Sequence, residues 1–363
     1  WAKRVIGLTG SAGKTTTKDA TAAVLSSRFS TLKSAGNLNN HIGVPLQLLR
    51  LEPEHEMAVI EMGMNHSGEI TELCRIAEPD WAIVTNVGTA HAGNFVDGIE
   101  GVRKAKYELI EHTRPDGVVV LNGDDQRVRH FGRDYKGRAI YFGVGAGMDV
   151  WAESIRDLGA LGTEFDLGCS RSLTDDSAPV QTKLPLIGRH NLMNALAASA
   201  TGIAAGIPLK EIARTLEALR PGEKRGEVLH IPVSGGTATL VNDTYNSNPK
   251  ALNAMVEALM KVPAKRRIVV AGEMLELGEE APELHRECGL FIARHKIEMT
   301  VGVRGNAEWL VRGVREGGGA GTFVDTPQQA GELLSQELRE GDAVLLKASR
   351  GVRLEGALDC LKP

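Results

Sequence analysis

Short apolar, β-branched runs alternate along the first half of the chain with stretches whose apolar positions recur every three to four residues. Residues 5–9, 57–61, 81–86 and 118–122 read as buried strands, and 14–28 as a helix. Strands spaced by helices imply a parallel sheet with helices on its faces. Over 138–186 the pattern changes. Strand-like runs are punctuated by Gly143, Gly145, Gly147 and Gly162, which predicts a β-type elaboration closing the first domain. Helical spacing returns over 191–205 and 209–219. Pro221-Gly222 then interrupts the chain, and a second α/β alternation follows, with strands expected at 240–242, 267–271, 299–303, 322–324 and 343–346. Gly317-Gly318-Gly319 reads as a loop. The expected domains are 1–221 and 222–363.

Composition adds mainly exclusions. With 42% hydrophobic and 24% charged residues among 363, the chain has the mix of a globular protein. A net charge of -4 gives no basic excess for nucleic acid, so positive charge for an anionic ligand must be gathered locally. Cys74, Cys169, Cys288 and Cys360 form no CxxC pair, which argues against zinc and against a disulfide framework. Reduced thiols and a cytoplasmic location are expected. The longest apolar stretch, 192–208, is broken by Asn194, Ser199 and Thr201, and no signal peptide is recognisable. Trp1-Ala2-Lys3 runs straight into the first strand, so a segment is expected upstream.

The strongest local signal is Thr9-Gly10-Ser11-Ala12-Gly13-Lys14-Thr15-Thr16, between an expected strand and an expected helix. Glycine lets backbone N–H groups turn toward phosphate oxygens, and the helix start adds free N–H groups and its dipole. Lys14 can reach the β- and γ-phosphates, and the Thr15 hydroxyl can ligate Mg²⁺. Gly10, Ser11, Ala12, Gly13 and Thr16 complete the nucleotide-binding loop. Its spacing is shorter than the common G-x-x-x-x-G-K-[ST]. A triphosphate needs Mg²⁺, which takes oxygen ligands. Glu61 ends an expected parallel strand, where ligands of α/β sheets bind.

Read in order, the G-x-x-G-K-T-T loop, Asn39-Asn40-His41-Ile42-Gly43-Val44-Pro45, Glu61-Met62-Gly63-Met64-Asn65-His66-Ser67-Gly68-Glu69-Ile70 and Thr85-Asn86-Val87-Gly88-Thr89-Ala90-His91 resemble the Mur ligases. Lys104-Ala105-Lys106, Leu121-Asn122-Gly123-Asp124-Asp125 and Gly188-Arg189-His190-Asn191 extend the resemblance, which covers essentially the whole chain. The fold it implies is α/β, a P-loop-type parallel-sheet ATPase domain with a small β-rich elaboration, then a Rossmann-like α/β domain. In the family, the residue matching Glu61 holds Mg²⁺ shared with the nucleotide, and that matching His91 holds a second Mg²⁺. The lysine matching Lys106 is carbamylated and ligates metal through its carbamate. A protonated amine cannot ligate metal, and the added CO₂ supplies an anionic oxygen donor. On the residues alone, Lys106 reads as a solvated helix lysine. His41 and His66 read as loop-orienting, His190 and His285 as structural.

For Asn191 and Asn194, which share a helix face, two readings stand: the family's contacts near adenine or ribose, or a helix cap and a polar face. Asn39 and Asn40 are expected near substrate. In the second domain the resemblance assigns Arg225 to the nucleotide phosphates across the domain cleft, although Lys224 precedes it where the family has glycine. Asn242-Asp243-Thr244-Tyr245-Asn246-Ser247-Asn248-Pro249 resembles the D-x-Y-N-x-N-P segment of the members that add D-Ala-D-Ala. Asp243 is then expected near the ribose or phosphates, with Asn246 and Asn248 shaping the cleft. The Asp-Asn-Pro-Arg signature of the tripeptide synthetases does not occur in this chain. Gly272-Glu273-Met274-Leu275-Glu276-Leu277-Gly278 fits the same members. Lys347-Ala348-Ser349-Arg350-Gly351 is expected to end a strand and open a helix as a carboxylate-binding loop, with Lys347, Ser349 and Arg350 on substrate.

The implied reaction joins D-Ala-D-Ala to UDP-N-acetylmuramoyl-tripeptide through an acyl phosphate, using ATP, two Mg²⁺ sites and carbamylated Lys106. Its catalytic set is Lys14, Glu61, His91, Lys106, Arg225 and Asp243, in a monomer. By the same resemblance, a uridine-binding domain of about a hundred residues precedes this chain, so the chain alone is expected to bind ATP but grip the UDP-substrate weakly. Two alternatives remain open: another Mur-type or folylpolyglutamate-synthase-like amino-acid ligase, or a non-catalytic ATP-binding module.

Overall fold

The computed structural model describes residues 1, 3–36, 38–89, 92–145, 147–174 and 178–361. They form two compact units. The first comprises Trp1–Arg156, Thr163–Pro185 and Arg189–Arg220, and the second Asp157–Gly162, Leu186–Gly188 and Pro221–Pro363.

The first unit begins β1 (Arg4–Thr9), α1 (Lys14–Ser26), β2 (Thr31–Lys33), α2 (Gly43–Leu48), β3 (Met57–Glu61), α3 (Glu69–Ala77), β4 (Trp81–Val84), α4 (Ile99–Glu111) and β5 (Val118–Asn122). It continues through β6 (Arg138–Val144), β7 (Val150–Asp157), β8 (Thr163–Cys169), β9 (Val180–Leu184), α5 (Arg189–Ala204) and α6 (Leu209–Glu217). Among the described residues these strands make one nine-stranded sheet, ordered β2-β3-β1-β4-β5-β6-β7-β8-β9. From β2 to β6 the neighbours are parallel, and β8 and β9 pair antiparallel. The β-rich stretch expected after 138 thus extends the same sheet. Strands buried on both faces carry apolar runs, as in β3 and β5, where only the last residues, Glu61 and Asn122, are polar. One face packs Ala58, Ile60, Ala82, Val84, Val119 and Leu121 against Ile70 and Leu73 of α3 and Val102, Ala105 and Leu109 of α4. α1 and α5 pack together, closely enough that a Cβ at Gly202 would lie 2.5 Å from Val24.

The second unit contains β10 (Glu227–Val233), β11 (Gly236–Asp243), α7 (Pro249–Met260), β12 (Arg266–Gly272), α8 (Ala281–Arg294), β13 (Met299–Val303), α9 (Ala307–Glu316), β14 (Gly321–Val324), α10 (Pro327–Glu337) and β15 (Asp342–Lys347). Its sheet order is β10-β11-β15-β12-β13-β14, parallel except for the β10–β11 hairpin. Side chains alternate between faces with period two. Val241, Val269, Ala271 and Leu345 meet α7, α8 and α9, whereas Leu240, Ile268, Val270, Val344 and Leu346 meet α10 and the 3-10 segment Leu354–Leu361.

Candidate active site

In the first unit the carboxyl ends of β3, β1, β4 and β5 lie side by side. Leu8 is in register with Glu61, Thr9 with Val84, and Val84 with Leu121. The loops leaving these ends carry the polar motifs, at the edge where α/β sheets receive ligands.

Residues 10–13, the loop expected to bind phosphate, are tightly enclosed. Gly13 precedes α1 at φ 80°, and a Cβ there would sit 2.4 Å from Asn194 Oδ1. A Cβ at Gly10 would sit 1.8 Å from Thr85 Oγ1, so both positions require glycine. Ala12 is held on both sides. Its N–H donates to Asn86 Oδ1 at 2.9 Å, and its carbonyl accepts from Asn86 Nδ2 at 2.9 Å and Thr85 Oγ1 at 2.8 Å. Ser11 Oγ accepts from Gly88 N at 2.8 Å. Behind this brace, Asn122 Nδ2 donates to the Thr85 carbonyl at 2.7 Å, and Val87 N donates to Asp125 Oδ2 at 2.9 Å. Thr85, Asn86, Asn122 and Asp125 therefore fix the loop. Their motifs were legible in the sequence, but nothing there showed that they hold residues 10–13. The Lys14 ammonium lies over its own loop, donating to the Gly10 carbonyl at 2.8 Å. Thr15 and Thr16, in the first turn of α1, are half-buried.

Glu61 is 2% exposed. Its Oε1 accepts from Asn39 Nδ2 at 2.8 Å, and its backbone N–H donates to Ser34 Oγ at 3.0 Å. Oε2 is buried without a hydrogen-bond partner among the described residues; the Lys18 ammonium stands 3.9 Å away. A buried carboxylate oxygen with no donor is costly, and a hard divalent cation is the partner such an oxygen accepts. The site residues fit Mg²⁺ on that ground. Among the described residues no three His, Cys, Asp or Glu side chains gather. Mg²⁺ does not need such a cage, because phosphate oxygens and water fill most of its shell. Asn40 does a different job from Asn39: its Oδ1 accepts from Ile42 N at 3.2 Å and Gly43 N at 2.8 Å, turning the chain into α2.

Lys106 is not the solvated helix lysine that the residues alone suggest. It faces inward from α4, 2% exposed. Burial, then the Lys14 charge, pushes its pKa well below the ordinary lysine range. The unprotonated amine so favoured is the form able to take up CO₂. His91, the other expected ligand, lies outside the described residues.

The asparagines of α5 are buried in the helix body. Asn194 Nδ2 donates to Asn191 Oδ1 at 3.0 Å, and Asn194 Oδ1 accepts from Thr17 Oγ1 at 3.1 Å, tying α5 to α1 beside Gly13. Asn191 lies inside α5, so the helix-cap reading does not hold for it.

In the second unit Asp243 and Lys347 end adjacent strands in register. The Lys347 ammonium, 3% exposed, pairs with the Asp243 carboxylate and donates to the Asn246 carbonyl at 2.9 Å. Asn246 Oδ1 accepts from Ser247 N at 2.9 Å. Arg225 lies over the Tyr245 ring at 3.7 Å and Arg350 at 5.1 Å from the centroid. Lys224 adopts φ 60°, the left-handed region that favours glycine. Asn248 is the N-cap of α7, its Oδ1 accepting from Ala251 N at 2.9 Å. Ser349 joins three loops: Oγ accepts from Leu275 N at 3.0 Å and donates to the Ser247 carbonyl at 3.3 Å, and its N–H donates to the Glu273 carbonyl at 3.2 Å. The segment after Lys347 opens only a 3-10 turn, Arg350–Val352, because Arg353 takes φ 57° and ends it.

A model of the Mur ligase middle domain matches residues 8–202, and one of the Mur ligase, glutamate ligase domain matches 210–350. The UDP-N-acetylmuramoyl-tripeptide--D-alanyl-D-alanine ligase of Bacillus subtilis is 33% identical over 97% of this chain and 74% of its own length. That of Escherichia coli is 34% identical over 99% of this chain and 77% of its own. A crystal structure of MurF from Acinetobacter baumannii matches with TM-score 0.86 and 32% identity, over 99% of this chain and 76% of that one. The MurF ligase of Thermotoga maritima in complex with ADP matches with TM-score 0.84 and 29% identity, over 99% and 80%.

Proposed function

The chain belongs to the Mur ligase family, and from that premise we propose that it is an ATP-dependent ligase joining D-Ala-D-Ala to UDP-N-acetylmuramoyl-tripeptide in peptidoglycan precursor synthesis. The observation that carries the reading is the pairing of an enclosed phosphate loop with the orphaned, buried Oε2 of Glu61 at the carboxyl edge of one sheet. A phosphate loop alone would serve a binding module. A buried carboxylate held by Asn39 and Ser34 and kept open on one oxygen supports nucleotide chemistry.

In this reading the loop N–H groups and Lys14 receive the triphosphate. The tripeptide carboxylate attacks the γ-phosphorus, the bond to the β-phosphate oxygen breaks, and ADP leaves. The D-Ala-D-Ala amine then attacks the acyl phosphate, and phosphate departs as the amide forms. Thr15, Glu61, His91 and Lys106 would hold Mg²⁺, which when bound neutralises charge on the phosphoryl oxygens. Lys106 is proposed to act as its carbamate. With ¹³C-bicarbonate the protein should show a carbamate carbon resonance that Lys106→Arg lacks, and its absence from the unsubstituted protein would remove this assignment.

Asn191 and Asn194 are proposed at the nucleoside and Arg225 and Asp243 at the nucleotide. Lys347, Ser349 and Arg350, two cations and a hydroxyl that would turn its proton from the Ser247 carbonyl, are proposed for the dipeptide carboxylate. Asn39, Asn40, Asn246 and Asn248 serve first the geometry of these loops. The reaction is proposed to run in the cytoplasm, where ATP is supplied, by a monomer. No helix of the described residues is long and apolar enough to cross a membrane. The test is phosphate release with ATP, Mg²⁺, UDP-N-acetylmuramoyl-tripeptide and D-Ala-D-Ala, each omitted in turn. Release that needs all four supports the proposal, and release indifferent to D-Ala-D-Ala overturns it.

A further inference from the structure

His285 lies on α8 with no solvent exposure. Its Nε2 accepts from Met274 N at 2.9 Å, and its Nδ1 meets the Ala281 carbonyl at 2.7 Å. A carbonyl can only accept, so Nδ1 carries the proton and Nε2 offers its lone pair. The neutral ring in that one tautomer satisfies both contacts, and an imidazolium cannot. The next residue, Leu275, donates its N–H to Ser349 Oγ at 3.0 Å. Ser349 in turn reaches the Ser247 carbonyl and, through its own N–H, the Glu273 carbonyl. Glu276, the residue after Leu275, stands at φ 64°, a conformation that persists only where neighbours hold it.

We propose that His285 is a positioning residue for the acceptor side of the ligation: by accepting from Met274 N it fixes the 273–275 loop, and so the height at which Ser349 stands between Lys347 and Arg350. The inference rests on the assignment of those three residues to the D-Ala-D-Ala carboxylate. It adds a residue that touches no substrate and that the sequence alone marks only as structural.

The arrangement is sensitive to acid. Burial lowers the His285 pKa, partly offset by the hydrogen bond to Ala281 and the charge of Glu273. Glu273 is the charged group facing the ring from the loop after β12. Cys288 shares the buried side of α8, its thiol pushed up to about 12 and hence neutral. α7 and α9, packed on α8, turn apolar side chains inward. Since the folded pKa lies below that of the unfolded chain, the neutral-ring contacts are intact above the ordinary histidine range. They are lost as pH falls through the lowered value.

The experiment compares the protein with His285→Gln and His285→Phe, measuring kcat and KM for each substrate across acidic to neutral pH, together with amide hydrogen exchange at Met274 and Leu275. Glutamine keeps an acceptor oxygen and does not titrate. The expected result is a D-Ala-D-Ala KM that rises about 5-fold at acid pH in the unsubstituted protein, a flat profile in His285→Gln, and a raised acceptor KM at every pH in His285→Phe with kcat little changed. An acid rise retained by His285→Gln would overturn the proposal, as would an unchanged acceptor KM in a folded His285→Phe. Should His285→Phe fail to fold, the His285→Gln profile decides. Should the protein not use D-Ala-D-Ala at all, the functional reading fails separately, and exchange decides the positioning. A protection factor at Met274 that falls at acid pH, and does not fall in His285→Gln, sustains it, and protection independent of residue 285 removes it.

Discussion

At the scale of single residues, the first unit buries the Glu61 carboxylate at the end of β3. Glu61 is gripped through Oε1 and its backbone, and Oε2 is left facing Lys18 at 3.9 Å. Leaving a buried oxygen unbonded costs stability unless another partner fills the place. Glu61→Gln should therefore lower Mg²⁺-dependent turnover by about 100-fold while the thermal midpoint moves little. Turnover assays with a melting curve check both, and near-normal activity would show that Oε2 holds no metal. The sequence placed Glu61 at a strand end, but not its one-sided bonding, which depends on Asn39 and Ser34 arriving from distant positions. It also read Lys106 as solvated. Lysine carries no mark of burial, and its place beside Ala105 on the inner side of α4 follows only from how that helix packs.

At the scale of elements, apolar runs and punctuation located the central strands well. Residues 57–61, 118–122 and 299–303 are β3, β5 and β13 to the residue. The edges were less legible. β10 holds Pro232, which an edge strand tolerates because no ladder bond is needed on its outer side, yet which argues against a strand when read alone. β2, with three residues, is too short for periodicity to register. The segment 243–249 shows how one motif mixes roles, since Asn248 caps α7 whereas Asp243 meets Lys347. Asn248→Ala should cost about 1 kcal/mol of stability, and Asn248→Asp should retain most of it. Denaturant unfolding measures this. A raised acceptor KM with unchanged stability would instead give Asn248 a direct place on substrate.

At the scale of the whole molecule, each unit is built on a mostly parallel sheet whose strand ends collect the polar loops, and this α/β plan was legible from the alternation of strand and helix patterns. The short segments 157–162 and 186–188, which group with the second unit, carry no periodicity that could announce them. Acceptor identity is likewise a property of the whole, because the groups proposed for it come from the ends of β11 and β15, joined only by folding. The most direct measurement is the mass of the UDP-linked product formed by the full-length protein from ATP, Mg²⁺, UDP-N-acetylmuramoyl-tripeptide and D-Ala-D-Ala. The account predicts a UDP-muramyl-pentapeptide, with one ADP and one phosphate per product. ATP consumed without that product, or a product carrying a different amine, would contradict it.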